Sequence, residues 1–189
     1  MKTSYLLIFT MFLPLLFNSC KKDENEAPIL PNEEELITTL VYTLTPVDGG
    51  SSVVFSFQDS DGDGGNTPII IEGILAANTE YTGALSLLNE SVDPISDISA
   101  EVLEEGTMHQ VFYQTESNLD MLIAYSDTDT NGNPIGLLTT ISTANISTGT
   151  LTITLRHEPT KTANGVSAGN IENAGGETDI EVTFIVEID

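Results

Sequence analysis

From residue 36 to the end of the chain, apolar and polar side chains alternate in short runs, and that period of two constrains the fold more than any other feature. Leu36, Thr38, Leu40, Tyr42 and Leu44 alternate with their neighbours, as do Val53, Phe55 and Phe57. Thr152 and Thr154 separate Leu151, Ile153 and Leu155, and Ile180, Val182, Phe184, Val186 and Ile188 make the cleanest run. Such alternation marks strands with one face buried and the other in water. It predicts about nine strands, near 36–45, 52–58, 68–75, 80–88, 108–115, 119–126, 135–143, 149–157 and 178–188.

One segment departs from the alternation. Asp93 and Pro94 precede Ile95, Ile98, Val102 and Leu103, and Gly106 follows. A cap, a proline in the first turn, an apolar face and a glycine stop predict one short helix. Pro159–Gly176, rich in Gly, Asn and Thr, reads as a long loop.

Spacing also suggests an internal repeat. Phe57-Gln58-Asp59-Ser60-Asp61-Gly62-Asp63-Gly64 matches Tyr125-Ser126-Asp127-Thr128-Asp129-Thr130-Asn131-Gly132, and Ala77–Leu87 matches Ala144–Ile153. The halves would run from about 36 to 115 and from 116 to 189. Each half alone, near 70 residues without a disulfide, is marginal for independent stability. The expectation is therefore an all-β fold, a single antiparallel β-sandwich over 36–189 built from two duplicated halves, with one short helix.

The segment ahead of this domain carries a different signal. Lys2 is followed by an uncharged apolar stretch from Tyr5 to Phe17, then by Asn18-Ser19-Cys20 and the polar run Lys21-Lys22-Asp23-Glu24-Asn25-Glu26. A basic start and a short apolar core are the layout of a secretory signal, shorter than the roughly 20 residues a membrane-spanning helix needs. Residues 1–19 read as a signal peptide. The residues around Cys20 resemble a bacterial lipobox, with Phe17 where leucine is usual. Cys20 is the only cysteine in the chain, so it forms no internal disulfide, and acylation gives the thiol a purpose. Lipid chains on one residue, at about 0.8 kcal/mol per buried methylene, would hold the protein at a membrane. Residues 20–35, interrupted by Pro28 and Pro31, read as an acidic tether. Lysine and acidic residues directly behind the cysteine resemble the signal that sends lipoproteins of the Bacteroidota to the outer cell surface. The expected location is the outer membrane, facing outward, with the periplasmic face as the alternative.

Charge narrows the partners. Without residues 1–19, which hold Lys2 and no acidic residue, four Lys and Arg stand against 29 Asp and Glu. Nucleic acid and anionic lipid both demand a basic patch, so neither headgroup nor polynucleotide suits this surface. Cations suit it wherever carboxylates converge.

Taken together, the loose lipobox, the Glu33–Leu40 first strand, the Asp59–Gly64 turn and the Leu155–Pro159 segment resemble the small acidic lipoproteins of marine and soil Bacteroidota. The resemblance covers nearly the whole mature chain. That family has no established activity, and its members often carry the label of a type 1 periplasmic-binding fold. Such a fold needs two α/β lobes, which a chain this short and strand-rich does not supply.

Three sets of residues are candidates for chemistry. Asp59, Asp61 and Asp63 alternate ahead of Gly64, the pattern by which a loop wraps oxygen ligands around Ca²⁺, and Asp127, Asp129 and Asn131 repeat it. The twelfth position of an EF-hand, which requires Glu, holds Ile70 in one copy and Leu138 in the other, so any site recruits ligands from elsewhere, with Glu72 a candidate. The same dipeptides also serve as plain hairpin turns. His109 and His157, the two histidines, would make a metal or acid–base site only if their strands met. No catalytic or phosphate-binding motif occurs. The expected function is a non-enzymatic binding module, with Ca²⁺ the candidate cofactor. A cell-surface glycan hydrolase and a structural coat or spacer protein are the alternatives.

Overall fold

The computed structural model describes residues 35–62 and 65–189. Cys20, the signal and tether segments before residue 35, and Asp63 lie outside the described residues. Eleven strands and one α-helix follow in order: β1 (Thr39–Pro46), β2 (Val53–Gln58), β3 (Ile69–Ile71), β4 (Ile74–Leu75), β5 (Glu80–Asn89), β6 (Ser96–Asp97), α1 (Ile98–Glu104), β7 (His109–Thr115), β8 (Met121–Tyr125), β9 (Leu138–Thr143), β10 (Ser147–His157) and β11 (Glu177–Ile188). They form two sheets. One runs β3-β2-β1-β5-β9-β8 with β6 paired to β5, and the other runs β4-β11-β10-β7. Every pairing is antiparallel except that of β4 with β11.

The alternation builds the core. Leu40, Tyr42 and Leu44 of β1 and Ile180, Val182, Phe184, Val186 and Ile188 of β11 are all buried, while Glu181, Thr183, Ile185 and Glu187 face outward. The inner faces meet through Phe55 and Phe184, edge to face at 5.7 Å, and through Tyr42 and Tyr113 at 5.3 Å. This is the expected β-sandwich, with side chains of both sheets sharing one apolar cluster.

Three details differ from expectation, each for a local reason. The run 68–75 splits into β3 and β4 because the chain changes sheets at Glu72-Gly73, and Gly73 lies so close to Val53 that a β-carbon there would overlap its side chain. The helix starts later than Asp93-Pro94 suggests. Ser96-Asp97 first pairs with Leu88 and Asn89 of β5, so the cap falls to Asp97, whose carboxylate accepts the Ala100 N–H. Ile98 and Val102, four residues apart, carry the buried face, while Ile95 and Leu103 are exposed. The stretch 159–176 contains two short 3₁₀ turns, Val166–Ala168 and Ile171–Asn173. It covers β7 through a small cluster of Phe112, Val166 and Ala174.

The matched segments of the repeat occupy different places. The two Asp turns close hairpins β2–β3 and β8–β9 at opposite edges of the larger sheet. Ala77–Leu87 leads into β5 of that sheet, whereas Ala144–Ile153 leads into β10 of the other. The two Ala-Asn dipeptides nevertheless touch, with the Asn78 N–H donating to the Ala144 carbonyl at 2.9 Å.

Candidate functional site

The strands of the two histidines do meet. His157 at the end of β10 lies directly opposite His109 at the start of β7, and the rings sit edge to face with centroids 4.5 Å apart. On the other side β10 pairs with β11, and there the register slips. Leu155 faces Ile180 while Arg156 faces Thr178, which leaves Asp179 as the extra residue of a bulge. Strict alternation would send Asp179 outward, opposite to Ile180. A bulge re-aims side chains, and the Asp179 carboxylate is fully buried against both histidines. Its oxygens lie 4.0 Å from His109 Nε2 and 3.9 Å from His157 Nδ1.

The chain before β1 and the end of α1 close over this group. The Glu35 N–H donates to Asp179 Oδ1 at 3.4 Å. His109 Nδ1 lies 3.3 Å from the Glu105 carbonyl, which can only accept, so the ring donates there and presents Nε2 as a lone pair. Nε2 is buried and has no hydrogen-bond partner among the described residues. Burial, with His157 beside it, pushes the His109 imidazole down to about 4, so it is neutral at ordinary pH. Glu35 moves the other way. Burial raises its carboxyl, and the carboxylates of Glu101, Asp179 and Glu105 raise it further. Gly176, in the left-handed region at φ 71°, passes so close to the His157 carbonyl that a side chain there would collide with it.

Beside this cluster a groove of about 490 Å³ opens between the two sheets, lined by Glu35, Thr38, Asp59, Thr178, Asp179 and Glu181 among others. One of the Asp turns therefore contributes to the same end of the sandwich as the histidines. Within that turn Asp59 accepts the Gly62 N–H at 2.9 Å, and Asp61 accepts the backbone and side-chain amides of Asn66 at 3.0 and 2.6 Å. Those amides, the backbone N–H first, hold the Asp61 carboxyl below its usual range. Glu72 is at the far end of β3, where it accepts the Ile185 N–H at 2.6 Å, and so stands away from the turn.

The second turn is built around a side chain instead. Asp127 accepts the Gly136 and Leu138 N–H groups at 2.8 and 3.0 Å. Asp129 Oδ1 accepts those of Asn131 and Asn133, and its Oδ2 takes the Lys161 ammonium at 3.0 Å. Lys161 is buried and also donates to the Gly106 and Pro134 carbonyls. Burial alone would raise Asp129, but Lys161 and the two amides outweigh it and hold the carboxyl below its usual range.

Among the described residues, the His, Cys, Asp and Glu groups that bring three ligand atoms within 4.8 Å are His109, His157 and Asp179, and Glu35, Glu105 and His109. The two sets share His109. Sequence reasoning had both histidines but neither Asp179 nor the glutamates, whose arrival depends on the bulge and on the packing of α1. Comparison with protein-family models, with curated proteins and with solved structures found no match.

Proposed function

We propose that this chain is an exported, lipid-anchored binding module, non-enzymatic, which presents the acidic end of its sandwich to a cationic ligand. The observation that carries this reading is the groove beside β1 and β11, where Glu35, Asp59, Asp179 and Glu181 line one opening. Carboxylates crowded in a partly desolvated cleft favour a cation, and Glu35 already takes up protons more readily because of its neighbours. The layout of residues 1–26 and the single Cys20 support export and anchoring at the outer membrane, on the cell surface. Ca²⁺ at the Asp59–Gly64 turn is the first candidate ligand, because its alternating carboxylates supply the oxygen donors that ion takes.

The test is a thermal melt of the mature chain in detergent with millimolar Ca²⁺ and then with excess chelator. An ion at 100 times its dissociation constant adds about 2.7 kcal/mol. At about 2–4 °C per kcal/mol for a domain of this size, the melting temperature rises by roughly 5–10 °C. Asp61→Asn removes most of that response. Coincident curves would leave Asp59–Gly64 as a hairpin turn alone.

A second reading, a glycan hydrolase, draws on the raised Glu35 carboxyl beside Asp179 in the groove, since an acid of elevated pKa beside a second carboxylate is what glycoside hydrolysis uses. Release of reducing ends from surface glycan, abolished by Glu35→Gln, would favour it over the binding module.

A further inference from the structure

We propose that His109, His157 and Asp179 form a binding site for one divalent transition ion of the zinc class, beside the acidic groove. The proposal deepens the cation-binding reading and rests on it for the route by which an ion enters.

Geometry supplies the first argument. Two direct hydrogen bonds would bring the carboxylate oxygens to about 2.7–3.2 Å from the ring nitrogens. Ligands bound to one Zn²⁺ at about 2.0–2.1 Å stand roughly 3.3–3.5 Å apart. The observed 4.0 and 3.9 Å lie beyond hydrogen bonding and roughly half an ångström longer than the spacing a shared ion imposes, a gap that a small inward shift of the ligands closes when the ion binds. The second argument is orientation. The His109 Nδ1–H is held by the Glu105 carbonyl, the outer-shell contact that fixes a metal-binding tautomer, and this leaves Nε2, 4.0 Å from Asp179 Oδ2, as the lone-pair nitrogen. That nitrogen is fully buried and has no hydrogen-bond partner among the described residues, so the fold has desolvated an acceptor without satisfying it.

Donor chemistry selects the ion. Ca²⁺ takes six to eight oxygens, whereas two imidazole nitrogens with a carboxylate suit Zn²⁺ and its neighbours. Glu35 and Glu105 form a second triad of ligand atoms with His109 within 4.8 Å, so further carboxylates lie next to the first set. Glu35 and Asp179 are also among the residues lining the groove, so the acidic opening adjoins the cluster. His157, at 6% exposure, is the most accessible of the two histidines.

The experiment is titration of the chelator-stripped mature chain in detergent with Zn²⁺, and separately with Co²⁺ as a visible probe. The expected result is one equivalent of Zn²⁺ and a Co²⁺ absorption band of tetrahedral intensity. His157→Gln and Asp179→Asn each weaken Zn²⁺ at least about 100-fold, and Asp61→Asn leaves it unchanged. His157→Gln, at the less buried of the two histidines, keeps the test readable if the fully buried Asp179→Asn does not fold. No Zn²⁺ uptake by the folded wild type, or wild-type affinity in His157→Gln, would overturn the site. The Ca²⁺ melt with Asp61→Asn reads the carboxylate turn independently, so either site can fail while the other stands.

Discussion

Beyond residue 22 the chain has two basic side chains, Arg156 and Lys161, and Lys161 is buried. Its ammonium ties three elements together: the Asp129 turn, the end of the helix region at Gly106, and the covering segment that begins at Pro159. Removing one partner of a buried pair costs roughly 3–5 kcal/mol because the other is left uncompensated. Lys161→Met should therefore lower the melting temperature by about 6–20 °C, and adding Asp129→Asn should recover part of the loss, as a thermal melt of the double-mutant cycle would measure. The acid side follows from the same pair. A carboxyl whose folded pKa lies below its unfolded value stabilises the fold above that unfolded value, near 3.8, and the contribution fades as pH falls through the folded pKa. Wild type should thus lose more stability than Asp129→Asn between neutral pH and pH 3 in parallel melts. The sequence marks Asp129 as a turn residue, but no local pattern reveals that a lysine 32 positions later fills the turn. Asp179 was hidden for a related reason: alternation assigns it to solvent, and only the slipped register at Leu155/Arg156 brings it inside.

At the scale of elements, strands were legible wherever one face is buried, since that condition writes itself into every second residue. All nine expected runs are strands, and the two further ones, β4 and β6, are two residues each, too short to carry a period. The helix was legible as a helix but not in its start, because the pairing of Ser96-Asp97 with β5 is a tertiary event. Gly83 shows what such events demand of a strand. It lies in β5 between β1 and β9, above the buried 2.7 Å hydrogen bond between the Tyr42 and Thr139 hydroxyls. A methyl there would come within 2.8 Å of both Tyr42 Oη and Ile141 Cδ1, and closer still to the Thr139 hydroxyl. Gly83→Ala should cost roughly 1–3 kcal/mol by overpacking, read as a fall in the denaturant midpoint, although alanine suits strands no worse than glycine. An unchanged midpoint would mean that the sheet yields there without losing the Tyr42–Thr139 contact.

At the scale of the whole molecule, the proposed anchor at Cys20 precedes in sequence a sandwich whose groove and histidine cluster lie where β1 begins. Glu35, the last tether residue expected from sequence, is itself part of that site, donating its N–H to Asp179. The compact unit Glu33–Asp189 carries every feature of the candidate site, and the proposed attachment would rest on the single thiol ahead of it. Fractionation of cells expressing the wild type and Cys20→Ser tests that attachment most directly. The wild type should sediment with membranes and partition into detergent with its mature N-terminus at Cys20, and Cys20→Ser should either keep its leader or be released as soluble protein. Equal partitioning of the two proteins, with a mature N-terminus elsewhere, would contradict it.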